Sequence, residues 1–499
     1  MTVVCGPLNC FDDRSYCKAK NMGSKLTFPT MVSFGTGQVS EAVKNAGFNV
    51  FLLFYYNQVI GVSATATSIA LAIALVFDAF TDPLAGSISD KHSGSWGRRH
   101  PFIFLSAFPL AVTFFFLFNP PDSFNEFGLV IWLTVFAILV RASMTFYHVP
   151  HLALGAELAE DYDQRSTLYA FSTFFGYMGG VVFVPISYRV FFPTTEEFNP
   201  ALLNEEAYFS WSIFAGILMV FAILICVFGT RKEIPRLRAK VSNLSSNFEW
   251  SALRRELFDA FSNASFRTIF FGMILCMFII SVEAVLGPFM GFHFFEMTTE
   301  QLSLFSIGQL LGLMLSVLFV PLVTTRFDKK PTLISCALLV VVLVNIPIVL
   351  RLVDFDWFPQ PGSNSLLVIL VINSGITTML AITLFATVNS MFADIADEHE
   401  LETGERREGI IFSARSFANK ATASAGLVFG GVLLDYIDFP RGAVTGEVSE
   451  EIVWQLGFIA GPATSIFTIL GVLLFFRYKI DRARHREIIG LLREGKRSN

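Results

Sequence analysis

Long apolar runs separated by short polar stretches fill almost the whole chain. Each run is close to the roughly 17–25 residues that a helix needs to cross a bilayer. Because lipid offers the backbone no hydrogen-bond partner, runs of this length predict helices. Twelve runs are centred near Phe51, Ala74, Leu110, Ala137, Gly179, Ile217, Cys276, Gly312, Val341, Thr377, Ala425 and Ile469. The pattern predicts an all-α integral membrane protein with twelve transmembrane helices.

A long polar loop at 231–267 leaves six runs on each side. The turn after the second run, DKHSGSWGRRHPFI, resembles the turn after the eighth, DKKPTLI. Repeated halves are typical of transporters built from related bundles. We predict an N-terminal extension at 1–24, six-helix bundles at 25–230 and 268–478, a cytoplasmic linker at 231–267 and a basic tail at 479–499. Within the linker, 248–261 fits an amphipathic surface helix and a solvated loop equally well. Met22 is an alternative start of the chain.

Composition and charge placement predict the topology. Hydrophobic residues make up 53% of the chain and charged residues 15%, which excludes an ordinary soluble domain. Lys and Arg are concentrated in alternate loops, at 91–99, 231–255, 326–330 and 477–497. Cytoplasmic loops carry such an excess, so we expect a plasma-membrane protein with both termini in the cytoplasm. The expected partners are the lipid bilayer and a small molecule, not nucleic acid. By analogy with this architecture we expect a monomer.

The second run carries two carboxylates into the apolar layer. Asp78 and Asp82 are four residues apart and therefore share one helix face. An ionised carboxylate inside a bilayer costs at least about 2.5–3.5 kcal/mol, so each acid needs a counter-ion, a proton or water. Thr81 adds a hydroxyl beside them, and Pro83 can free a backbone carbonyl one turn earlier. This oxygen-rich group predicts a cation site, for Na⁺ or for H⁺.

Three separated stretches carry a family resemblance. They read FDAFTDPLAGSISDKHSGSWGRRHPF, FYHVPHLALGAELAEDYDQRS and MFADIADEHELETGERREGIIFSARSFANKATASAG. Together with FGTGQVSEAVKN in the first run, they resemble the glycoside–pentoside–hexuronide:cation symporters in sequence and order. That family is a branch of the major facilitator superfamily, and its wider group includes animal lysophospholipid symporters. The resemblance implies the major facilitator fold and a bacterial inner membrane.

The resemblance also implies roles for individual residues. Asp78 and Asp82 fall on the family's paired cation-binding acids, with Thr81 where its melibiose carriers have Asn. Thr145 matches a hydroxyl ligand on the fourth helix, and Lys420 matches a lysine opposite the acids.

Other positions depart from the family. His148 stands where the melibiose carriers have a further acid. Their sugar-binding acid on the first helix aligns with Ala42, and their arginine on the fifth aligns with Phe171. Galactoside specificity is therefore not implied.

Further polar residues in the apolar runs are candidates for substrate binding or coupling. Arg141 is a substrate contact or a structural partner, and Glu283 is a substrate acid, a coupling acid or the partner of Arg141. His148 and His151 share a face and could bind zinc, relay protons or bind substrate. Ser416 is assigned to this group with Lys420.

Asp90, Arg98 and Arg99 lie after the second run and predict a cytoplasmic gate. Their charges can cap helix ends and hold the two bundles together while the outer side is open. The charged run 394–408 lies on the same side and could supply the partners.

Two function classes other than transport are disfavoured. The chain lacks HExxH, GxSxG and nucleotide-binding glycine motifs, which argues against an enzyme. Cys5, Cys10 and Cys17 do not complete a known metal spacing. A channel would not need two related halves. We expect no organic cofactor, only Na⁺ or H⁺ as coupling ion. The prediction is cation-coupled symport of a sugar, glycoside or sugar acid, with a lysolipid-like amphiphile as the alternative.

Overall fold

A computed structural model describes residues 26–92, 94–159, 162–239, 261, 263–403 and 408–498. The predicted extension at 1–24, its three cysteines and almost all of 248–261 lie outside these residues. The described part is helical, joined by short turns and loops. We call residues 26–239 the N-terminal half and residues 261–498 the C-terminal half.

Six helical segments form the N-terminal half. They are α1 (Phe28–Thr36 and Gln38–Ala46, continued by the π-helical turns Gly47–Leu52 and Tyr55–Val59), α2 (Ala64–Lys91), α3 (His100–Leu117), α4 (Glu126–Leu158), α5 (Tyr162–Ile186, continued by Ser187–Phe191) and α6 (Glu205–Thr230). A short helix, Ile234–Ala239, follows α6. Side-chain caps explain two of the starts: Ser63 accepts from the Ala66 N–H, and Asn125 accepts from the Gly128 N–H.

The C-terminal half repeats the arrangement and adds a tail helix. Its segments are α7 (Ala264–Phe289, continued by Met290–Phe294), α8 (Phe305–Arg326, preceded by Thr299–Ser303), α9 (Lys329–Leu352), α10 (Asn364–Thr403), α11 (Glu408–Tyr436), α12 (Glu450–Phe458, Ile459–Ala463 and Thr464–Phe475) and α13 (Arg482–Ser498). Asn263 caps α7, and a capping box between Thr298 and Gln301 starts Thr299–Ser303.

Ten helices of the described chain are long and apolar enough to cross a membrane. The all-α membrane fold is therefore confirmed, while the count of twelve spans stays a prediction. Of the twelve predicted spans, the two that are not among these ten are α1 and α11. Gly37 and π-helical turns break α1 into short pieces, and α11 carries polar residues such as Asn419 and Lys420.

The two halves share an apolar core at one end only. We call the end that carries the basic loops 91–99 and 326–330 the basic end, and the opposite end the far end. One core contains residues of both halves, including Phe51 of α1, Phe289 of α7 and Leu434 of α11. A second core belongs to the C-terminal half alone.

Hydrogen bonds between the halves are also concentrated at the far end. Asp435, at the end of α11, accepts from the Ser63 hydroxyl at 3.0 Å and from the backbone N–H groups of Ala64 and Thr65 at 3.1 and 2.8 Å. Gln58 donates to the Pro440 carbonyl at 3.1 Å. These contacts place a carboxylate at the amino end of α2, where the helix dipole favours negative charge.

Candidate functional site

The predicted acids of α2 face α4. The Arg141 guanidinium donates to Asp78 Oδ2 at 2.6 Å, and the Thr145 hydroxyl donates to Asp82 Oδ1 at 3.0 Å. Both helices run from the far end to the basic end, and both pairs are spaced by four residues. Two side-chain hydrogen bonds, one helical turn apart, therefore join α2 and α4.

Lys420 completes this cluster from the other half. Its ammonium group on α11 contacts Asp82 Oδ2. Asp82 therefore contacts both Thr145 of α4 and Lys420 of α11. The side chains of Asp82 and Lys420 are 37% and 30% exposed, against 13% and 11% for Asp78 and Arg141. Asp82 is therefore the more accessible acid, and its attraction to Lys420 is the more screened by water.

The donor set fits a small cation that competes with basic side chains. Asp78 Oδ1 is buried without a hydrogen-bond partner, and Asp82 and Thr145 supply further oxygens. Na⁺ or H⁺ binding here would weaken the hold of Asp82 on Lys420. Thr81 does not join the group: its hydroxyl donates within α2, to the carbonyls of Phe77 and Asp78 at 3.3 and 3.4 Å.

A second polar cluster on α1 was missed by the sequence analysis. His148 Nδ1 lies 3.0 Å from Glu41 Oε2, and Gln38 donates to the same carboxylate. Lys44 is buried and donates to Asn45 Oδ1 at 2.6 Å. Charges in the first apolar run were the available signal, because an ionised side chain at membrane depth needs a partner.

His151 is not part of the site, contrary to the prediction. Its ring is fully buried, stacks on Phe34 at 4.2 Å and has Nε2 3.0 Å from the Phe34 carbonyl. The packing of α1 on α4 therefore separates it from His148, which contacts Glu41 instead. Among the described residues, no group of three His, Cys, Asp or Glu side chains could hold a metal ion.

Glu283 of α7 lines a cavity of about 560 Å³ between α1, α5, α7 and α8. Its polar lining also includes Asn45, Asn49, Tyr177 and Gln309. Arg141 binds Asp78, so the alternative that made Arg141 the partner of Glu283 is wrong. The helix of Ser416 is described, but its side chain lies outside the described part.

The predicted gate residues contact their own half. Arg99 contacts Asp90 and donates to the Ser89 hydroxyl at 2.6 Å, and Arg98 and Arg99 both lie 2.9 Å from Glu157. These partners belong to α2 and α4, so the arrangement fastens the loop after α2 to α4. Asp394, from the run expected to supply partners, binds Lys329 of the C-terminal half at 2.6 Å. Residues 404–407 of that run lie outside the described residues. The described contacts do not join the bundles in this conformation, so the gate expected while the outer side is open stays a prediction.

Comparison with known proteins defines the class. A family model described as MFS/sugar transport protein matches residues 33–482. The chain belongs to this family, and the resemblance to glycoside–pentoside–hexuronide:cation symporters is confirmed. The protein is therefore a membrane transporter of the major facilitator superfamily and not an enzyme.

Individual proteins similar to this chain are also transporters. A glucuronide carrier protein homolog of Escherichia coli is 24% identical over 486 residues, covering 94% of this chain and 96% of the relative. A sodium-dependent lysophosphatidylcholine symporter of Gallus gallus is 23% identical over 493 residues, covering 93% and 88%. The crystal structure of a nucleoside transporter has the same fold, with a TM-score of 0.59 at 13% identity, covering 91% of this chain and all of that one.

Proposed function

We propose that the protein is a cation-coupled symporter that moves a sugar, glycoside or sugar acid with Na⁺ or H⁺ by alternating access. The observation that carries the proposal is the Asp82–Lys420 contact, which joins the halves inside a cluster of acids and bases. The similarity to a glucuronide carrier homolog supports the substrate class.

The geometry supports a coupling mechanism through Asp82. A cation that binds Asp78 and Asp82 neutralises the acid that holds Lys420, and this loosens α2 from α11. The ion therefore changes the relation between the halves, and with it the cavity that substrate enters. By linkage, substrate raises the affinity for the ion by the same factor.

The cavity between the halves suits a polyhydroxylated substrate. Amide and carboxylate groups of Asn45, Asn49, Gln309 and Glu283 supply hydrogen-bond donors and acceptors, and Tyr177 adds an aromatic ring. Its volume of about 560 Å³ falls within the range of small-molecule sites, roughly 300–1,000 Å³.

The proposed topology follows from the positive-inside rule. We place the basic end and both termini in the cytoplasm of a bacterial inner membrane, with bundles at 25–230 and 268–478 joined by the linker at 231–267 in a monomer. The far-end contacts then close the outside, so this conformation faces inward.

A lysolipid-like amphiphile is the second candidate. The similarity to a lysophosphatidylcholine symporter favours it, as do the apolar cavity residues Val50, Val181 and Phe305. Such a substrate would place its head group at the polar residues and its chain along the apolar ones.

Uptake into proteoliposomes tests the function. Radiolabelled glucuronides, pentosides and lysophosphatidylcholine are offered in parallel under an imposed Na⁺ or H⁺ gradient. We expect a sugar-type substrate to accumulate with one gradient and Asp82→Asn to abolish accumulation, because the neutral amide cannot exchange Lys420 for the ion. Asp438→Asn, an exposed acid of the loop after α11, is the matched control. Full accumulation by Asp82→Asn would contradict the site, and accumulation of lysophosphatidylcholine alone would select the second candidate.

A further inference from the structure

A cavity of about 920 Å³ lies at the basic end of the C-terminal half, outside the transport site. The starts of α7 and α9 and the end of α12 enclose it. Four basic residues line it: Arg267, Lys330, Arg477 and Lys479. Asp481 is the single acid of the lining.

The positive charges of Arg477 and Lys479 are not balanced by the one acid of the cavity lining. Asp481 is engaged at the start of α13, where its Oδ1 accepts from the Arg484 N–H at 2.7 Å. Lys330 donates to the carbonyls of Phe476 and Tyr478 at 2.6 and 3.0 Å, which fixes its ammonium at the cavity wall. Arg477 and Lys479 are exposed, and neither has an acidic partner among the described side chains. An excess of positive charge at this place calls for an anion.

Apolar side chains border the same cavity. Phe271 of α7 and Phe476 after α12 are 47% and 55% exposed, and Leu474 of α12 also lines the cavity. On membrane helices such exposed side chains face lipid tails. The cavity therefore lies where the lipid-facing surface ends and the basic side chains begin.

We propose that this cavity binds an anionic phospholipid. The phosphate of the head group lies among Arg477, Lys479 and Lys330, and the acyl chains lie along Phe271 and Phe476. The sequence supports this placement, because RYKIDRARHR at 477–486 directly follows a membrane helix, and such basic clusters bind anionic lipids. A free phosphate would use the same basic groups but would leave the apolar border uncovered.

Native mass spectrometry of the full-length protein in detergent tests the site. Phosphatidylglycerol is titrated against the wild type and Arg477→Gln/Lys479→Gln, with phosphatidylethanolamine and inorganic phosphate as separate arms. We expect preferential binding of phosphatidylglycerol, weakened about 25-fold in the double variant, since each basic residue near an anionic surface contributes roughly fivefold. Both positions are exposed, so the fold is retained.

Lys91→Gln/Lys232→Gln is the matched control, because both lysines are exposed at the same end but in the other half. This variant should bind phosphatidylglycerol like the wild type. Equal losses in the two double variants would show that binding follows net charge and would overturn the site. Equal binding of phosphatidylethanolamine, or displacement of the lipid by millimolar inorganic phosphate, would overturn the assignment to an anionic lipid.

Discussion

In the described part of the chain, polar groups at the far end contact the opposite half, whereas Arg98, Arg99 and Lys329 at the basic end contact their own half. Asp435 of α11 holds the start of α2, and the Thr299 hydroxyl donates to the Phe192 carbonyl at 2.8 Å. By contrast, Arg99 binds α2 and α4, and Lys329 binds Asp394 of α10. The far end therefore joins the two halves, and the named ion pairs of the basic end each stabilise one half.

This difference indicates how the transporter changes state. Rocking of two bundles around a central site breaks the contacts at one end and forms others at the opposite end. The bonds of the far end are available to break, while those of the basic end can persist in both states. Asp82 and Lys420, the pair proposed to respond to the ion, lie between the two ends.

Asp435→Asn is expected to have the largest effect on the equilibrium between the open and closed far end. The substitution removes the charge at the start of α2 and one acceptor, so closure of the far end weakens by about 1–2 kcal/mol. The population open at the far end should rise roughly 5–30-fold. Labelling of an Asn49→Cys probe by an impermeant maleimide, added on the side of the far end, measures this rise.

Asp438→Asn serves as the control for the loop. Asp438 is exposed, and its backbone φ is +50°, a conformation that asparagine tolerates. Labelling should stay at the wild-type level in this variant. A similar increase in both variants would show that Asp435 does not close the far end.

A double-mutant cycle tests whether Lys420 and Asp82 interact directly. Lys420→Ala and Asp82→Asn remove partners in direct contact, so their effects on the free energy of unfolding should couple by about 0.5–3 kcal/mol. Lys420→Ala with Asp78→Asn should couple less, because Asp78 binds Arg141. Thermal unfolding in detergent provides the four-variant comparison. Additivity in the first cycle, or equal coupling in both, would show that Lys420 does not pair with Asp82.

The smallest effect on conformation is expected at the basic end. Arg98→Ala/Arg99→Ala leaves Glu157 without its partners and should lower the free energy of unfolding by about 1–3 kcal/mol. Labelling of the Asn49→Cys probe should not change, because the lost contacts lie within one half. Lys91→Ala/Lys232→Ala is the control for loss of charge. If labelling of Arg98→Ala/Arg99→Ala rises as far as that of Asp435→Asn, these arginines do affect the contact between the halves.

The sequence predicted one side of the central site better than the other. The spacing of Asp78 and Asp82 was sufficient, because residues four apart share a helix face. Arg141 and Thr145 have the same spacing, yet their pairing with the acids depends on how α4 packs against α2. The sequence therefore left several partners open for Arg141.

The remaining failures have the same origin. His148 and His151 share a helix face in sequence, but α1 packs against that face and gives each histidine a different partner. Glu41 was missed because its partner is on another helix. The gate between the halves stays a prediction, because it is expected while the outer side is open and the far end is closed here. Charge in a loop predicts which side of the membrane it faces, but not which helix it binds.

The most direct test compares accumulation with exchange in Lys420→Ala proteoliposomes. Accumulation requires the ion gradient, whereas exchange of labelled for unlabelled substrate at equal concentrations requires only that the halves move around the cavity. We expect Lys420→Ala to lose gradient-driven accumulation and to retain exchange. Accumulation at the wild-type level by a folded Lys420→Ala protein would contradict the claim that Lys420 and the transported cation compete for Asp82.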